Sequence, residues 1–408
     1  MRVLLLVCVA GLLPAADLYV RNVTRIDVTG AKKPYRTSLW ISANRVRAEG
    51  ARVKAPKNAE LVDGEGKYLV PGLWDSHFHL IRDESNPQPV LDSLLAHGVT
   101  TIRDMGSIPE RIVVLRDAIA AGKTQGPRLF VAGVMLDGPP SKPGPTLHIV
   151  ANAAEAAAEV DRLAALNVDF LKVQQNLSAE SYRAVIAKAK EKRLAVMGHT
   201  PDALTVTEAA KGNQRSIEHL TGVLVACSSR ENELRELIAK GVAAVDFGPL
   251  GDPGRITLDS HSEQKATELF RQWKAPFQVP TLVWEKAYLL APSTRRRPET
   301  AAMMKEYFAK GMEVVRLMRG AGIRFVAGTD GGDTFTTPGL GLHQELELLV
   351  EAGLTPLEAL QSATVNAAAM MNQPLPPTDF VLLAANPLDD IRNTRRVEAV
   401  IAKGKLVR

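Results

Sequence analysis

The chain has 408 residues, of which 46% are hydrophobic and 23% are charged, and its formal net charge is +5 at pH 7. This length suits one large α/β domain with a smaller second domain, and the composition excludes a disordered chain or a bundle of membrane helices. Lysines and arginines are spread along the sequence instead of forming one basic stripe, so nucleic-acid binding is not favoured.

The N-terminus has the pattern of a secretory signal peptide. Arg2 precedes an apolar run over residues 3–13, and small residues follow this run. The run is too short to favour a transmembrane helix. We therefore expect residues 1–16 to direct export, which makes the mature protein secreted or periplasmic. Because Cys8 and Cys227 are the only cysteines, one thiol would remain after cleavage, and lipid attachment at Cys8 stays open.

Residues 17–70 and 371–408 have the pattern of short strands separated by turn residues. Runs with this pattern are 18–20, 38–41, 45–47, 380–383 and 397–401. Alternation of apolar and polar residues over such short runs is typical of antiparallel sheets. We predict that the two ends of the chain pair to form a small β-sandwich domain.

Between these ends, residues 71–370 alternate short β-branched runs with amphipathic stretches rich in Ala, Leu, Glu and Lys. This alternation is typical of consecutive β–α units. The predicted strands are 73–79, 99–103, 128–134, 168–173, 194–199, 216–219, 277–282 and 325–330. The seventh strand could instead lie at 242–247. Eight such units predict an α/β fold, a (β/α)8 TIM-like barrel with the β-sandwich domain beside it.

The strongest local signal for a site is the pair His77 and His79, at the end of the first predicted strand. Residues i and i+2 of a strand point to the same side, so both imidazoles can bind one metal ion. On its own, such a pair is equally consistent with chance.

Further polar residues lie in or at the carboxyl ends of later predicted strands, namely Lys172, His199, His219 and Asp330. Active sites of barrels are built on this face, because strand ends and β–α loops converge there. Each residue alone has an ordinary explanation as a core histidine, a solvated lysine or a helix-capping aspartate. Together with His77 and His79, these residues make six at strand ends, and the set of six favours a metal site.

The chain resembles the binuclear-metal branch of the amidohydrolase superfamily, in particular its imidazolonepropionase-like and Xaa-Pro dipeptidase-like members. The resemblance covers nearly the whole chain after residue 16. Its motifs are PGLWDSHFH (71–79), GVTTIRD (98–104), DFLKV (169–173), SIEH (216–219), GTD (328–330) and ELELLVEAGLTPLEALQSATVN (345–366).

The resemblance implies a centre of two divalent metal ions with the ligands His77, His79, Lys172, His199, His219 and Asp330. His77, His79 and Asp330 would hold the more buried ion, and the other two histidines the more exposed one. Lys172 would bridge both as an N6-carboxylated side chain, with zinc as the default metal. A hydroxide shared by the metals would attack the substrate, with Asp330 as general base and then acid.

The implied reaction is hydrolysis of an amide or other non-standard C–N bond in a small dipeptide or N-acyl amino acid. A lactone or cyclic-amide hydrolase would use the same ligands. A mononuclear deaminase of the superfamily would keep a Glu shortly after the fifth-strand histidine, where this chain offers only Asp202. A non-catalytic secreted binding protein is the alternative from another class. We expect a small-molecule or dipeptide partner, no nucleic acid and no membrane beyond export, and leave homo-oligomerisation open.

Four other residues have weaker signals. His148 lies in the loop after the third predicted strand, where a surface position is as good an explanation as a place in the site. His343, in a helix after the last strand, is expected to have a structural role or to support the ligands. Thr281 and Trp284 follow the seventh strand and could line the pocket, and packing is the favoured role for Trp284.

Overall fold

The structure is a computed structural model that describes residues 17–240, 244–245, 248–249, 252–273, 276–291 and 298–408. The predicted signal peptide, with Cys8, lies outside the described residues and stays a prediction. Among the described residues, no helix has the length and apolar character needed to cross a membrane.

The elements are numbered in chain order. The strands are β1 (Leu18–Arg25), β2 (Tyr35–Ser42), β3 (Arg45–Gly50), β4 (Glu60–Asp63), β5 (Tyr68–Pro71), β6 (Leu73–Phe78), β7 (Val99–Asp104), β8 (Arg128–Val131), β9 (Met135–Asp137), β10 (Leu147–Ile149), β11 (Phe170–Val173), β12 (Ala195–Gly198), β13 (Gln214–Glu218), β14 (Ala244–Val245), β15 (Gly248–Pro249), β16 (Phe277–Val279), β17 (Phe380–Leu383), β18 (Val397–Ala402) and β19 (Lys405–Leu406).

The helices are α1 (Gln88–Ala96), α2 (Pro109–Ala120), α3 (Ala153–Ala165), α4 (Ala179–Lys192), α5 (Val206–Lys211), α6 (Val223–Ala226), α7 (Glu231–Ala239), α8 (Asp252–Asp259), α9 (Glu263–Gln272), α10 (Leu282–Leu290), α11 (Pro298–Gly320), α12 (Leu340–Glu351), α13 (Pro356–Ser362) and α14 (Val365–Met370). A 3-10 helix spans Ile391–Arg395.

The two ends of the chain build one sheet together. Its order is β19-β18-β17-β5-β1-β2-β3, and β4 pairs with β1 outside this path. The antiparallel pair of β17 and β5, with Phe380 opposite Pro71, joins the C-terminal segment to the N-terminal one. Leu39, Leu69 and Leu382 are among the apolar side chains buried against this sheet. The predicted pairing of the two ends is therefore present.

The middle of the chain is an α/β fold with parallel strands, as predicted. One sheet has the order β6-β7-β8, and a second has the order β10-β9-β11-β12-β13-β16. Every residue of β6, β7 and β11 is buried, which is typical of parallel strands covered on both faces. The core between sheets and helices includes Val99, Ile112, Phe325 and Leu346.

The third predicted strand, 128–134, is present as β8 but ends three residues earlier, at Val131. β8 pairs with β7, whereas β9 follows it and pairs with β11. Gly133 lies between β8 and β9 with a φ of 73°, a left-handed conformation that glycine adopts without a steric penalty. Between β8 and the segment that leads into β11, the amide of Asp169 donates to the carbonyl of Val131 at 2.9 Å. The predicted strand is therefore present over 128–131, and its predicted end is too late by residues 132–134.

The eighth predicted strand, 325–330, is also irregular. Phe325 forms a parallel bridge to β16, and Gly331 forms one to β6, but the residues between them are not a regular strand. The reason is that the amide of Ala327 donates to the carbonyl of Ser362 at 3.1 Å instead of extending a ladder. The segment nevertheless lies between β16 and β6, so its carboxyl end reaches the same edge as theirs.

The seventh position among the parallel strands belongs to β16, which pairs with β13. The alternative at 242–247 is not supported where it is described, because β14 pairs with β15 in a separate two-stranded sheet. Residues 242–243 and 246–247 lie outside the described residues.

Candidate metal centre

The predicted ligands come together at the carboxyl ends of the parallel strands. His77 is in β6 and Lys172 in β11, whereas His199 and His219 directly follow β12 and β13. Five of the six predicted ligands are buried, namely His77, His79, Lys172, His199 and His219. The side chain of Asp330 is 15% exposed. The candidate site is therefore a largely desolvated cluster with an opening at Asp330.

Three imidazoles converge on the carboxylate of Asp330. Oδ1 of Asp330 lies 3.3 Å from Nε2 of His79 and 3.4 Å from Nε2 of His77. Oδ2 lies 3.9 Å from Nε2 of His219. One ligand atom from each of His77, His219 and Asp330 lies within 4.8 Å of the other two. This spacing suits a shared divalent metal ion.

The other two predicted ligands lie next to this group. The ring centroid of His199 is 4.9 Å from that of His219. Lys172 is opposite Met197 in the pairing of β11 with β12. A Cβ on Gly198 would lie 3.1 Å from Cδ of Lys172, so glycine leaves room for the lysine side chain. All six predicted residues are thus in one place, and their roles as ligands stay predictions.

Hydrogen bonds at Nδ1 fix the tautomer of two of these histidines. His79 Nδ1 lies 2.7 Å from the carbonyl oxygen of Gly106, which can only accept, so Nδ1 carries the proton. His219 Nδ1 lies 2.6 Å from Oγ1 of Thr281, whose hydroxyl donates to the carbonyl of Pro280 at 2.7 Å. Nε2 of each ring therefore keeps its lone pair, which is the form that binds a metal ion.

A buried ion pair supports His77 from behind. Nδ1 of His77 donates to Oε2 of Glu218 at 2.8 Å, and Nη2 of Arg103 donates to the same oxygen at 2.8 Å. Ser216 donates to the other oxygen of Glu218 and accepts from Nη1 of Arg103 at 3.1 Å. Both Arg103 and Glu218 are fully buried. The network holds His77 with Nε2 towards Asp330.

Burial keeps His77, His199 and His219 neutral and does not neutralise Asp330. Desolvation lowers the pKa of His219 to about 4 and holds the pKa of His77 and His199 well below the usual range. Desolvation also acts to raise the pKa of Asp330, but its contacts with the imidazoles of His79 and His219 hold it well below the usual range. Neutral imidazoles and an ionised carboxylate are the forms that bind cations.

Three residues of the site have left-handed backbone conformations, with φ values of 56° at His219, 53° at Thr281 and 50° at Asp330. Such conformations cost on the order of 1–3 kcal/mol each for residues other than glycine, and they cluster at functional sites. Thr281 is the least expected of the three because its side chain is β-branched.

Thr281 precedes α10 as its N-cap residue, yet its side chain does not cap the helix, because its hydroxyl bonds His219 and Pro280. The cap comes from α12 instead, where Glu345 accepts a hydrogen bond from the amide of Val283 at 2.7 Å. A carboxyl oxygen suits a helix N-terminus because the first amides lack intrahelical partners. Glu345 thus stabilises the helix that begins beside His219.

Several supporting residues were not predicted from the sequence, namely Arg103, Glu218, Gly106 and Glu345. Charged residues inside a predicted core strand, as Arg103 and Asp104 are in β7, are the sequence signal that points to such a network. His148 is half-exposed and lies 3.8 Å from Glu159, outside the cluster. His343 bonds Thr394 Oγ1 and the carbonyl of His97, both at 3.0 Å, which is a structural position.

Neutral histidines and an ionised carboxylate, held at the carboxyl ends of parallel strands, define a candidate metal site on an α/β enzyme fold. The sequence model of the amidohydrolase family matches residues 68–407. The chain therefore belongs to the amidohydrolase family, and it is a hydrolase acting on carbon–nitrogen bonds.

Relatives match over nearly the whole chain. Ochratoxinase from Aspergillus niger is 23% identical over 445 residues, which cover 91% of this chain and 82% of that protein. A structure described as a putative prolidase from Bifidobacterium longum is 24% identical, with a TM-score of 0.76 over 96% of this chain and 95% of that one. A structure of a Xaa-Pro dipeptidase with bound methionine in its active site is 20% identical, with a TM-score of 0.70 over 96% of this chain and 99% of the other. The fold is thus shared with these structures.

Proposed function

We propose that the chain hydrolyses the amide bond of a small dipeptide or N-acyl amino acid at a centre of two divalent metal ions. The observation that carries the proposal is the convergence of three histidine Nε2 atoms on the carboxylate of Asp330, at 3.3 to 3.9 Å. An ion pair alone would not need three imidazoles around one carboxylate. The relatives named as a prolidase and a Xaa-Pro dipeptidase favour a peptide substrate.

The residues present fit divalent cations. His77, His79 and Asp330 would hold the more buried ion, and His199 and His219 the other. Nδ1 of His79 and Nδ1 of His219 bond acceptors of the protein, which leaves each Nε2 for coordination. Divalent cations, with zinc as the default, would lower the pKa of a water molecule and polarise the carbonyl of the substrate.

Lys172 would be a ligand of both metal ions. Its side chain is buried, and desolvation disfavours a charged ammonium group. A neutral amine can take up carbon dioxide to give a carbamate and a proton. The carbamate oxygens would then serve as anionic ligands, which an ammonium group cannot do.

Asp330 would transfer a proton from the attacking water to the leaving nitrogen. It is ionised, so it can accept a proton from the attacking water while the new C–O bond forms. The same proton then passes to the leaving nitrogen as the C–N bond breaks, which gives a carboxylic acid and an amine. The position of Asp330 between three imidazoles, with a partly exposed side chain, gives its carboxylate access to both the water and the substrate.

We also propose that residues 71–370 form one closed eight-stranded barrel, with residues 17–70 and 371–408 as a separate β-sandwich domain. In support, the segment 325–331 bridges β16 and β6, and β8 is hydrogen-bonded to the segment leading into β11. Residues 1–16 are proposed as a signal peptide of a secreted or periplasmic protein.

Elemental analysis of protein purified without chelator, with bicarbonate present, tests the two-metal centre. We expect about two metal ions per chain, falling to one or none in Lys172→Ala and in His77→Ala. The control is His148→Ala, which removes a half-exposed histidine outside the cluster and should keep the full content. The wild type should release amines from dipeptides or N-acyl amino acids.

Other results of these measurements would favour one of the alternative functions. One metal ion that is unaffected by Lys172→Ala would favour the mononuclear deaminase. A full metal content with turnover of lactones or cyclic amides alone would favour the lactone or cyclic-amide hydrolase. A protein without metal or turnover would favour the non-catalytic secreted binding protein.

A further inference from the structure

Three aromatic side chains in the segments that follow Thr281 and Asp330 lie together. Trp284 and Tyr288 are on α10, and Phe335 is in the segment after Asp330. The rings of Trp284 and Tyr288 are stacked with centroids 5.1 Å apart. Phe335 meets them edge-on, with centroids 5.4 Å from Trp284 and 5.6 Å from Tyr288. We call these three side chains the aromatic wall.

Two connections fix the aromatic wall beside the predicted ligands. Trp284 is three residues after Thr281, which bonds His219, so one helical turn of about 5 Å separates them. On the other side, Nε1 of Trp284 donates to Oδ2 of Asp333 at 2.6 Å. Asp333 is three residues after Asp330. The wall is thus attached to the segments that carry two of the predicted ligands.

The aromatic wall is not the face by which α10 packs on the core. That face is formed by Leu282, Val283 and Leu289, all of which are buried. Trp284 and Tyr288 are four residues apart, on another face of the helix, and they are only half-buried. The stacking of Trp284 on Tyr288 agrees with the sequence-based preference for a packing role, and the part of the ring that stays exposed can also contact a ligand.

We propose that the aromatic wall is the subsite that binds an apolar, preferentially aromatic, side chain of the substrate next to the scissile bond. The inference rests on the proposed function, because it names the substrate class of the same site. Aromatic rings pair favourably in stacked or edge-on arrangements, and all three rings of the wall keep part of their surface exposed. The bond between Trp284 and Asp333 holds the indole in place, which reduces the entropy lost on binding.

Matched substrate pairs test the proposal on the metal-loaded full chain. The pair is N-acetyl-phenylalanine and N-acetyl-alanine, or the corresponding dipeptides. We expect the wild type to prefer phenylalanine by about tenfold or more in kcat/KM, as apolar pockets do for larger side chains. In Trp284→Leu and Phe335→Leu this ratio should fall towards one, whereas the metal content stays at the wild-type value.

Trp40→Leu is the matched control, because Trp40 is also half-buried and also donates its indole N–H to an aspartate, Asp17, at 3.0 Å. It lies in β2 of the terminal sheet, so the substrate ratio should not change. A ratio that stays at the wild-type value in both Trp284→Leu and Phe335→Leu, with metal retained, would overturn the proposal. Phe335→Leu, in a loop, keeps the test valid if Trp284→Leu does not fold.

Failure of the proposed function gives a different result. If the wild type cleaves none of these amides, the amide hydrolase proposal fails, and calorimetric titration then tests the aromatic wall directly. The wild type should bind N-acetyl-phenylalanine more tightly than N-acetyl-alanine, and Phe335→Leu should remove the difference. Equal Kd values for the two compounds in the wild type would overturn the aromatic subsite.

Discussion

The ion pair behind His77 gives the sharpest prediction for stability. Arg103→Met replaces a fully buried guanidinium with an apolar side chain and leaves the equally buried Glu218 without its cation. The change removes the 2.8 Å bond to Glu218, the 3.1 Å bond to Ser216 and a bond to the carbonyl of Ser76. Removal of one partner of a buried pair costs about 3–5 kcal/mol, mainly because a buried charge stays uncompensated.

Urea unfolding of chelator-treated protein measures this cost without a contribution from metal binding. Glu218→Gln, which leaves Arg103 unpaired, should show a loss similar to that of Arg103→Met. The double variant should lose about 1–3 kcal/mol less than the sum of the two single losses, because it leaves no isolated charge. Arg36→Met breaks an exposed pair with Glu65 and should leave the midpoint unchanged. Single losses below about 1 kcal/mol, or strict additivity, would refute this reasoning.

Two further predictions concern pH and packing. Burial raises the pKa of Glu285 to about 8, against 4.5 in the unfolded chain. The protein is therefore most stable with respect to this group below pH 4.5, where the carboxyl is protonated in both states, and it loses this stability as the pH rises towards 8. The gain in Tm from Glu285→Gln should therefore grow between about pH 5 and pH 9 in calorimetry, and a constant gain would contradict this explanation. A Cβ on Gly328 would lie 2.7 Å from Cβ of His77 and 2.8 Å from its backbone nitrogen, so Gly328→Ala should lower both metal content and Tm. Gly320→Ala, with no atom within 4 Å of the added Cβ, should change neither, and full metal content in Gly328→Ala would show that β6 can adapt.

Most strands of the α/β fold could be predicted from the sequence because their signal is local. β6, β7, β11, β12, β13 and β16 all lie in or overlap the predicted runs. The third and eighth strands could not be predicted fully, because their form depends on distant partners. Ala327 donates to Ser362, and β8 ends at Val131 while the following β9 pairs with β11, which apolar periodicity does not reveal.

The site shows the same division between local and distant information. The histidines and Asp330 could be predicted because the carboxyl ends of parallel strands meet at one edge. Arg103 and Glu218 are 115 residues apart, so their pairing has no local signal. The exposed surface of Trp284 was also missed, since it depends on the position of the segment that carries Asp333 and Phe335.

The cap that Glu345 gives to α10 has a consequence for engineering of the enzyme. Residues 331–339 connect Asp330 to α12, and α12 in turn holds the start of α10, where Thr281 bonds His219. The connecting loop therefore joins Asp330 to the helices that support His219. We expect insertions or deletions in 331–339 to disturb this connection, whereas exchange of side chains at constant loop length leaves it intact. Libraries aimed at new substrates should therefore vary residue identity in this loop and keep its length.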